Sequence, residues 1–159
     1  MNVGLLVALI VAGALLFAGT LVFLIVSAVR RQTARAMAVL HGEGIILDSG
    51  RVHLKLSFRG FRGPRVAIGI GMNAGPGRVV LTQRRFTFVP WGQNRYGFTT
   101  TDRELLHRFA VGVDEGRLHL HSDNPPNASG TVDIFVSVAN PAEWVEALTA
   151  AGAVRRAGG

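Results

Sequence analysis

Cysteine is absent from this chain of 159 residues, which excludes a disulfide framework, a thiolate nucleophile and a cysteine metal site and leaves the redox compartment open. Charge is absent from Val3 to Val29, and acid is absent from Gly50 to Thr100. Lysine is almost absent, with Lys55 standing against sixteen arginines. Also missing is any recognised pattern of nucleophile beside base, or of two carboxylates placed for acid and base work, so no catalytic residue is assigned and a non-enzymatic protein is expected. No sequence motif calls for a cofactor.

The uncharged run is 27 residues long, more than the roughly 20 that a helix needs to cross the hydrocarbon core. Rich in Leu, Val, Ala and Ile, it can satisfy its backbone internally as a helix in lipid. A cleaved secretory signal competes with this reading, but such a signal carries a basic start and a shorter apolar stretch, whereas the first basic residue here is Arg30. Residues 1–31 are therefore expected to form a single transmembrane helix, an integral single span in the cell membrane. Arg30, Arg31 and Arg35 follow it directly, and basic flanks favour the cytoplasmic side, where the soluble domain is expected. Gly4, Ala8 and Ala12 make a small-residue stripe that an Ala-rich helix acquires easily by chance.

Beyond a linker or helical extension at 32–41, residues 42–152 are long enough for one ordinary domain, with 153–159 a tail. The net charge of +7 is unevenly spread. The acid-free stretch carries Arg51, Lys55, Arg59, Arg62, Arg65, Arg78, Arg84, Arg85 and Arg95, whereas Asp102 to Ala150 is mainly acidic. Such polarity suits an anionic partner.

Alternation points to strands. Val52, Leu54, Leu56 and Phe58 face one way, and His53, Lys55 and Ser57 the other. Ile45–Leu47 and Arg51–Phe58, joined by Asp48-Ser49-Gly50, read as a β-hairpin. Further strands are expected at 65–72, 78–81, 85–89, 107–113, 117–121 and 131–138, with turns at Asn73-Ala74-Gly75-Pro76-Gly77, Asp114-Glu115-Gly116 and Asn124-Pro125-Pro126-Asn127. The chain closes on a helix capped by Asn140, with Pro141 in its first turn and Glu143 as the capping-box acid. Its apolar face holds Trp144, Ala147, Leu148 and Ala151, and Gly152 ends it.

Two stretches, Arg78 to Pro90 (RVVLTQRRFTFVP) and Val132 to Leu148 (VDIFVSVANPAEWVEAL), resemble bacterial pleckstrin-homology-like (PH-like) and GRAM-type domains. The first is similar to that family's strand pair, the second to its last strand and Trp-bearing terminal helix. The resemblance implies a mostly β fold with one C-terminal helix: a partly open β-barrel of about seven strands, following the membrane helix. It implies recognition of a membrane surface or a protein rather than catalysis. The loop Phe58 to Arg65 departs from the family's phosphoinositide signature.

The candidate binding residues are Arg59, Phe61, Arg62, Arg65, Arg84, Arg85 and Arg95. The first four read as cations set for anionic phospholipid head groups with an aromatic ring dipping into the interface. A membrane protein partner is the other expected ligand, and a structural accessory subunit of a membrane complex the alternative function. Arg84, Arg85 and Arg95 with Trp91 and Tyr96 also suggest stacking on nucleic acid, which a tethered domain makes remote, so no nucleic acid is expected. His119 and His121 share one strand face, yet no third ligand lies at a telling spacing, and no metal is assigned. Gly69-x-Gly71 is followed by a strand rather than a helix, which rejects a phosphate loop.

Overall fold

A computed structural model describes residues 3–89 and 96–156. It divides into two compact units, Met1–Arg35 and Ala36–Gly159. The first unit is helical, as part of α1 (Val3–Gly42). Its described apolar side chains are open, with Leu16 and Phe17 each 73% exposed. The Thr20 hydroxyl donates back to the Leu16 carbonyl at 2.8 Å, which satisfies that polar group inside the helix. Among the described residues this is the one helix long and apolar enough to cross a membrane, and a signal sequence has the same character.

Residues 32–41 turn out to be helix. Ala, Arg, Gln, Met and Leu favour continuation, and the chain leaves the helix only at Gly42, with Gly44 at φ +76°. The last turns belong to the second unit, where Met37 and Leu40 are buried against Val80 and Val89.

Nine strands make one sheet among the described residues. They are β1 (Ile45–Asp48), β2 (Val52–Arg62), β3 (Ala67–Thr82), β4 (Arg85–Val89), β5 (Thr100–Asp102), β6 (Ala110–Asp114), β7 (Arg117–Ser122), β8 (Ser129–Val136) and β9 (Val154–Arg155). A 3-10 turn occupies Arg103–Arg108, where a strand beginning at His107 was expected, and α2 spans Pro141–Ala150. The order is β5-β4-β3-β2-β8-β7-β6-β9, with β1 also on β3. Pairing is antiparallel except between β6 and β9. The sheet curls into an open half-barrel. Leu54, Leu56 and Phe58 point inward along β2 as their alternation requires, joining Phe86, Phe88, Leu118, Leu120 and Ile134 in the core. Trp144, Val145 and Leu148 of the short α2 complete it.

Two expected turns are not turns. Asp48 pairs with Val80 and Val52 with Gly77, so β1 and β2 run in one direction along β3 as a single strand broken by a bulge. The Gly50 N–H donates to Asp48 Oδ1 at 2.9 Å, and Gly50 has φ +63°. This Asx geometry serves a bulge as readily as a hairpin. Nor does Asn73-Ala74-Gly75-Pro76-Gly77 divide two strands, because β3 passes straight through it for sixteen residues. Among the described residues, Ala67–Gly77 has a neighbour on the β2 side only, since β4 pairs no further than Arg78. A proline that cannot donate is tolerated along such an edge.

Candidate functional site

β2 and β3 form a long hairpin closed at Gly63-Pro64-Arg65-Val66, where the Gly63 N–H donates to the Val66 carbonyl at 2.8 Å. The expected loop from Phe58 to Arg65 is thus mostly strand. Its alternation is reset at Gly60, which has φ +59° and opposes Gly130, at φ +89°. A Cβ on Gly130 would lie 2.3 Å from the Gly60 carbonyl oxygen, so the two backbones meet where side chains would keep them apart. The β2–β8 register shifts between Arg59 and Arg62. Phe58 and Phe61 both turn inward as a result.

Phe61 is therefore not an interfacial aromatic. It is fully buried, with ring centroids 5.0 Å from Phe58, 5.8 Å from Phe98 and 6.2 Å from Tyr96. Arg59, Arg62 and Arg65 are exposed, and none makes an ion pair among the described residues. The apolar contribution comes from the other strand: Ile70, directly opposite Arg59, is 87% exposed, and Met72 is 67% exposed. A depression of about 280 Å³ beside them is lined by Gly60, Arg62, Ala67, Ile68 and Gly69 among others.

The remaining candidates do not join this cluster. Arg84 and Arg85 lie past the Thr82 end of β3, whereas Arg59, Arg62 and Arg65 lie about its Ala67 end. Arg84 borders a groove of about 660 Å³ that it shares with Asp102, Arg103, Glu104 and His107. Arg85 is engaged in two hydrogen bonds with Glu43, one from Nε to Oε2 at 2.9 Å. Those bonds hold the Glu43 carboxyl below its usual range, helped by the Thr82 hydroxyl and opposed by burial. Arg95 and Trp91 lie outside the described residues.

A second constellation occupies the neighbouring strands β7 and β8. Asp133 stands directly opposite His121, and Phe135 opposite His119. One carboxylate oxygen, Asp133 Oδ1, accepts from His119 Nε2 and from His121 Nδ1, each at 2.8 Å. The His119 ring stacks on Phe135 at 4.4 Å and 7°, and Arg156 donates to His119 Nδ1 at 2.9 Å. Burial pushes the Asp133 carboxyl up, but the hydrogen bonds from His121 and His119 outweigh it and hold the group below the usual carboxylate range. Among the described residues, these are the three whose donor atoms converge as metal ligands would.

No known family model matches the chain, and no curated protein matches it. The residues themselves carry the functional reading.

Sequence reasoning missed Ile70, Met72, Asp133 and Arg156. Ile70 and Met72 on either side of Gly71 were the available signal for the first two, but Ile68 breaks the pattern by packing against the core while Gly69 is exposed. Asp133 and Arg156 lie 14 and 37 residues from His119 and needed the strand register.

Proposed function

We propose that this chain is a single-pass membrane protein whose β domain, of PH-like type, binds anionic lipid through the end of the β2–β3 hairpin. The observation that carries this reading is the pairing of three arginines that lack acid partners among the described residues with two open apolar side chains, Ile70 and Met72. Each basic residue near an anionic leaflet contributes about 1 kcal/mol, and fully burying a side chain such as Ile about 1.5–3 kcal/mol. For a domain already held to the membrane by its helix, that sum is enough to bias orientation. The curled sheet, and a helix after β8 that anchors Trp144 in the core, support the PH-like assignment. The basic flank after the apolar run supports a cytoplasmic domain.

A protein partner is the second reading, that of an accessory subunit in a membrane complex. Its support is the Ala67–Gly77 stretch of β3, which among the described residues has a strand neighbour on one side only and offers main-chain groups for strand addition.

The cysteine-free chain makes the test direct. Met72→Cys, labelled with an environment-sensitive fluorophore, is reconstituted as full chain in neutral and in phosphatidylserine-containing bilayers. A blue shift only in the anionic bilayer is expected. It should be lost near 1 M salt, where the screening length falls to about 3 Å, and in the triple variant Arg59→Glu, Arg62→Glu, Arg65→Glu. An unshifted probe in both bilayers rejects lipid binding and leaves the protein partner.

A further inference from the structure

We propose that His119, His121 and Asp133 bind a late first-row divalent metal ion such as Zn²⁺, and that Arg156 is a latch that must leave His119 for the ion to enter. Two imidazoles and a carboxylate suit that class of cation. The three donor atoms already converge: His119 Nε2 and His121 Nδ1 each lie 2.8 Å from Asp133 Oδ1. Tetrahedral ligands bound at about 2.1 Å lie about 3.4 Å apart, so each histidine nitrogen draws back from Asp133 Oδ1 by roughly 0.6 Å to admit the ion. His121 and Asp133 are each 31% exposed at the side chain and His119 is 7% exposed. The ion would therefore keep coordination positions open to water or to a donor from a partner.

The proton positions define the latch. Arg156 can only donate, so Nδ1 of His119 accepts, and the proton sits on Nε2, where it points at Asp133. A metal needs the Nε2 lone pair. The proton must then move to Nδ1, which sets an N–H against the guanidinium and cancels the Arg156 bond. His121 has no such conflict: its proton moves from Nδ1 to Nε2, which lies 3.4 Å from Asp123 Oδ1, giving the carboxylate–histidine–metal relay that steadies metal ligands. No proton is gained or lost overall.

The fold builds the latch deliberately. β9 pairs in parallel with β6, and the Arg156 N–H donates to the Val111 carbonyl at 2.8 Å. Gly112 stands opposite His119 in the β6–β7 pair, and a Cβ there would lie 3.4 Å from the Arg156 Cβ. The missing side chain leaves a path along which Arg156 reaches the imidazole. Arg156 is otherwise exposed, so its side chain can swing into solvent while its backbone stays paired.

The test uses the untagged full chain in metal-free nanodiscs, titrated with Co²⁺ and followed by its visible bands, then with Zn²⁺ in competition. One ion per chain is expected. Asp133→Asn, which still accepts hydrogen bonds from both histidines, should weaken binding at least about tenfold, and Arg156→Gln should tighten it by a factor on the order of ten. Nitrogen NMR of the wild-type imidazoles is the check independent of variant folding, with Zn²⁺ expected to shift His119 Nε2 and His121 Nδ1 together. An absence of binding up to about 1 mM, or unperturbed ring nitrogens, overturns the site. Unchanged affinity in Arg156→Gln overturns the latch.

Discussion

The two ends of strand β3 carry the same kind of charge and treat it in opposite ways. Toward Thr82, Arg78 holds Asp48 and Arg85 holds Glu43, acids that precede the acid-free stretch in sequence. Around Ala67, Arg59, Arg62 and Arg65 have no such partner among the described residues. Composition makes all five look alike. Pairing makes two of them structural and leaves three to meet an external anion, because a carboxylate already offsets the charge of each paired guanidinium.

The largest expected effect separates the buried from the open apolar residues of the hairpin. Phe61→Ala removes a fully buried ring from a four-ring cluster and should cost about 3–5 kcal/mol. Ile70→Ser, at an 87% exposed position, should change stability by no more than about 0.5 kcal/mol yet weaken the bilayer-dependent probe shift. Thermal unfolding of both variants checks the first contrast. Equal destabilisation would place Ile70 in the core and remove it from the binding surface.

Next comes the Glu43–Arg85 pair, whose Glu43 side chain is only 11% exposed. Glu43→Gln should cost about 1.5–3 kcal/mol, as for a hydrogen bond to a charged group. The Glu43 carboxyl is held below its unfolded value by Arg85 first and Thr82 second, against burial. Its stabilisation is therefore fully present above the unfolded value of about 4.3 and is lost as pH falls through the folded one. Denaturant titrations from pH 7 to pH 3 should show a smaller acid-side loss in Glu43→Gln than in the wild type. Some slope should remain, since Asp48 is also held low: burial raises it, and Arg78 and the Gly50 N–H outweigh that rise.

Much of this architecture was legible because strands with one wet face write their alternation into the sequence. β2 read correctly on that ground and the α2 stripe around Trp144 on three-and-four spacing, whereas β4 and β7 are runs buried on both faces, from Phe86 to Val89 and from Leu118 to Leu120. What failed was local chemistry with two uses. Asp48-Ser49-Gly50 makes the same Asx hydrogen bond in a bulge as in a hairpin, and Pro76 breaks a strand only where a neighbour needs its N–H. Phe61 was misread because Gly60 inserts a step in the period of two, and nothing in the bare sequence marks which glycine does so. The histidine cluster needed register: His119 and His121 advertise a shared face, but Asp133 reaches them only once β8 lies against β7.

The smallest effect tests whether pairing, rather than position, distinguishes the two ends of β3. Arg78 and Asp48 form a salt bridge with side chains 36% and 23% exposed, so solvent screens it and its worth should be below about 1 kcal/mol. Asp48 keeps a second donor in the Gly50 N–H at 2.9 Å, which softens the loss further. A double-mutant cycle with Arg78→Ala and Asp48→Ala isolates the coupling from the bulge geometry that Asp48 also supports. A coupling of a few tenths of a kcal/mol, with Arg59→Ala alone unchanged in stability, would leave Arg78 as a weak clamp and Arg59 as a charge available for binding. A comparable stability loss in Arg59→Ala would mean that it too is held by the fold, and the hairpin would lose one of the three cations on which its lipid reading depends.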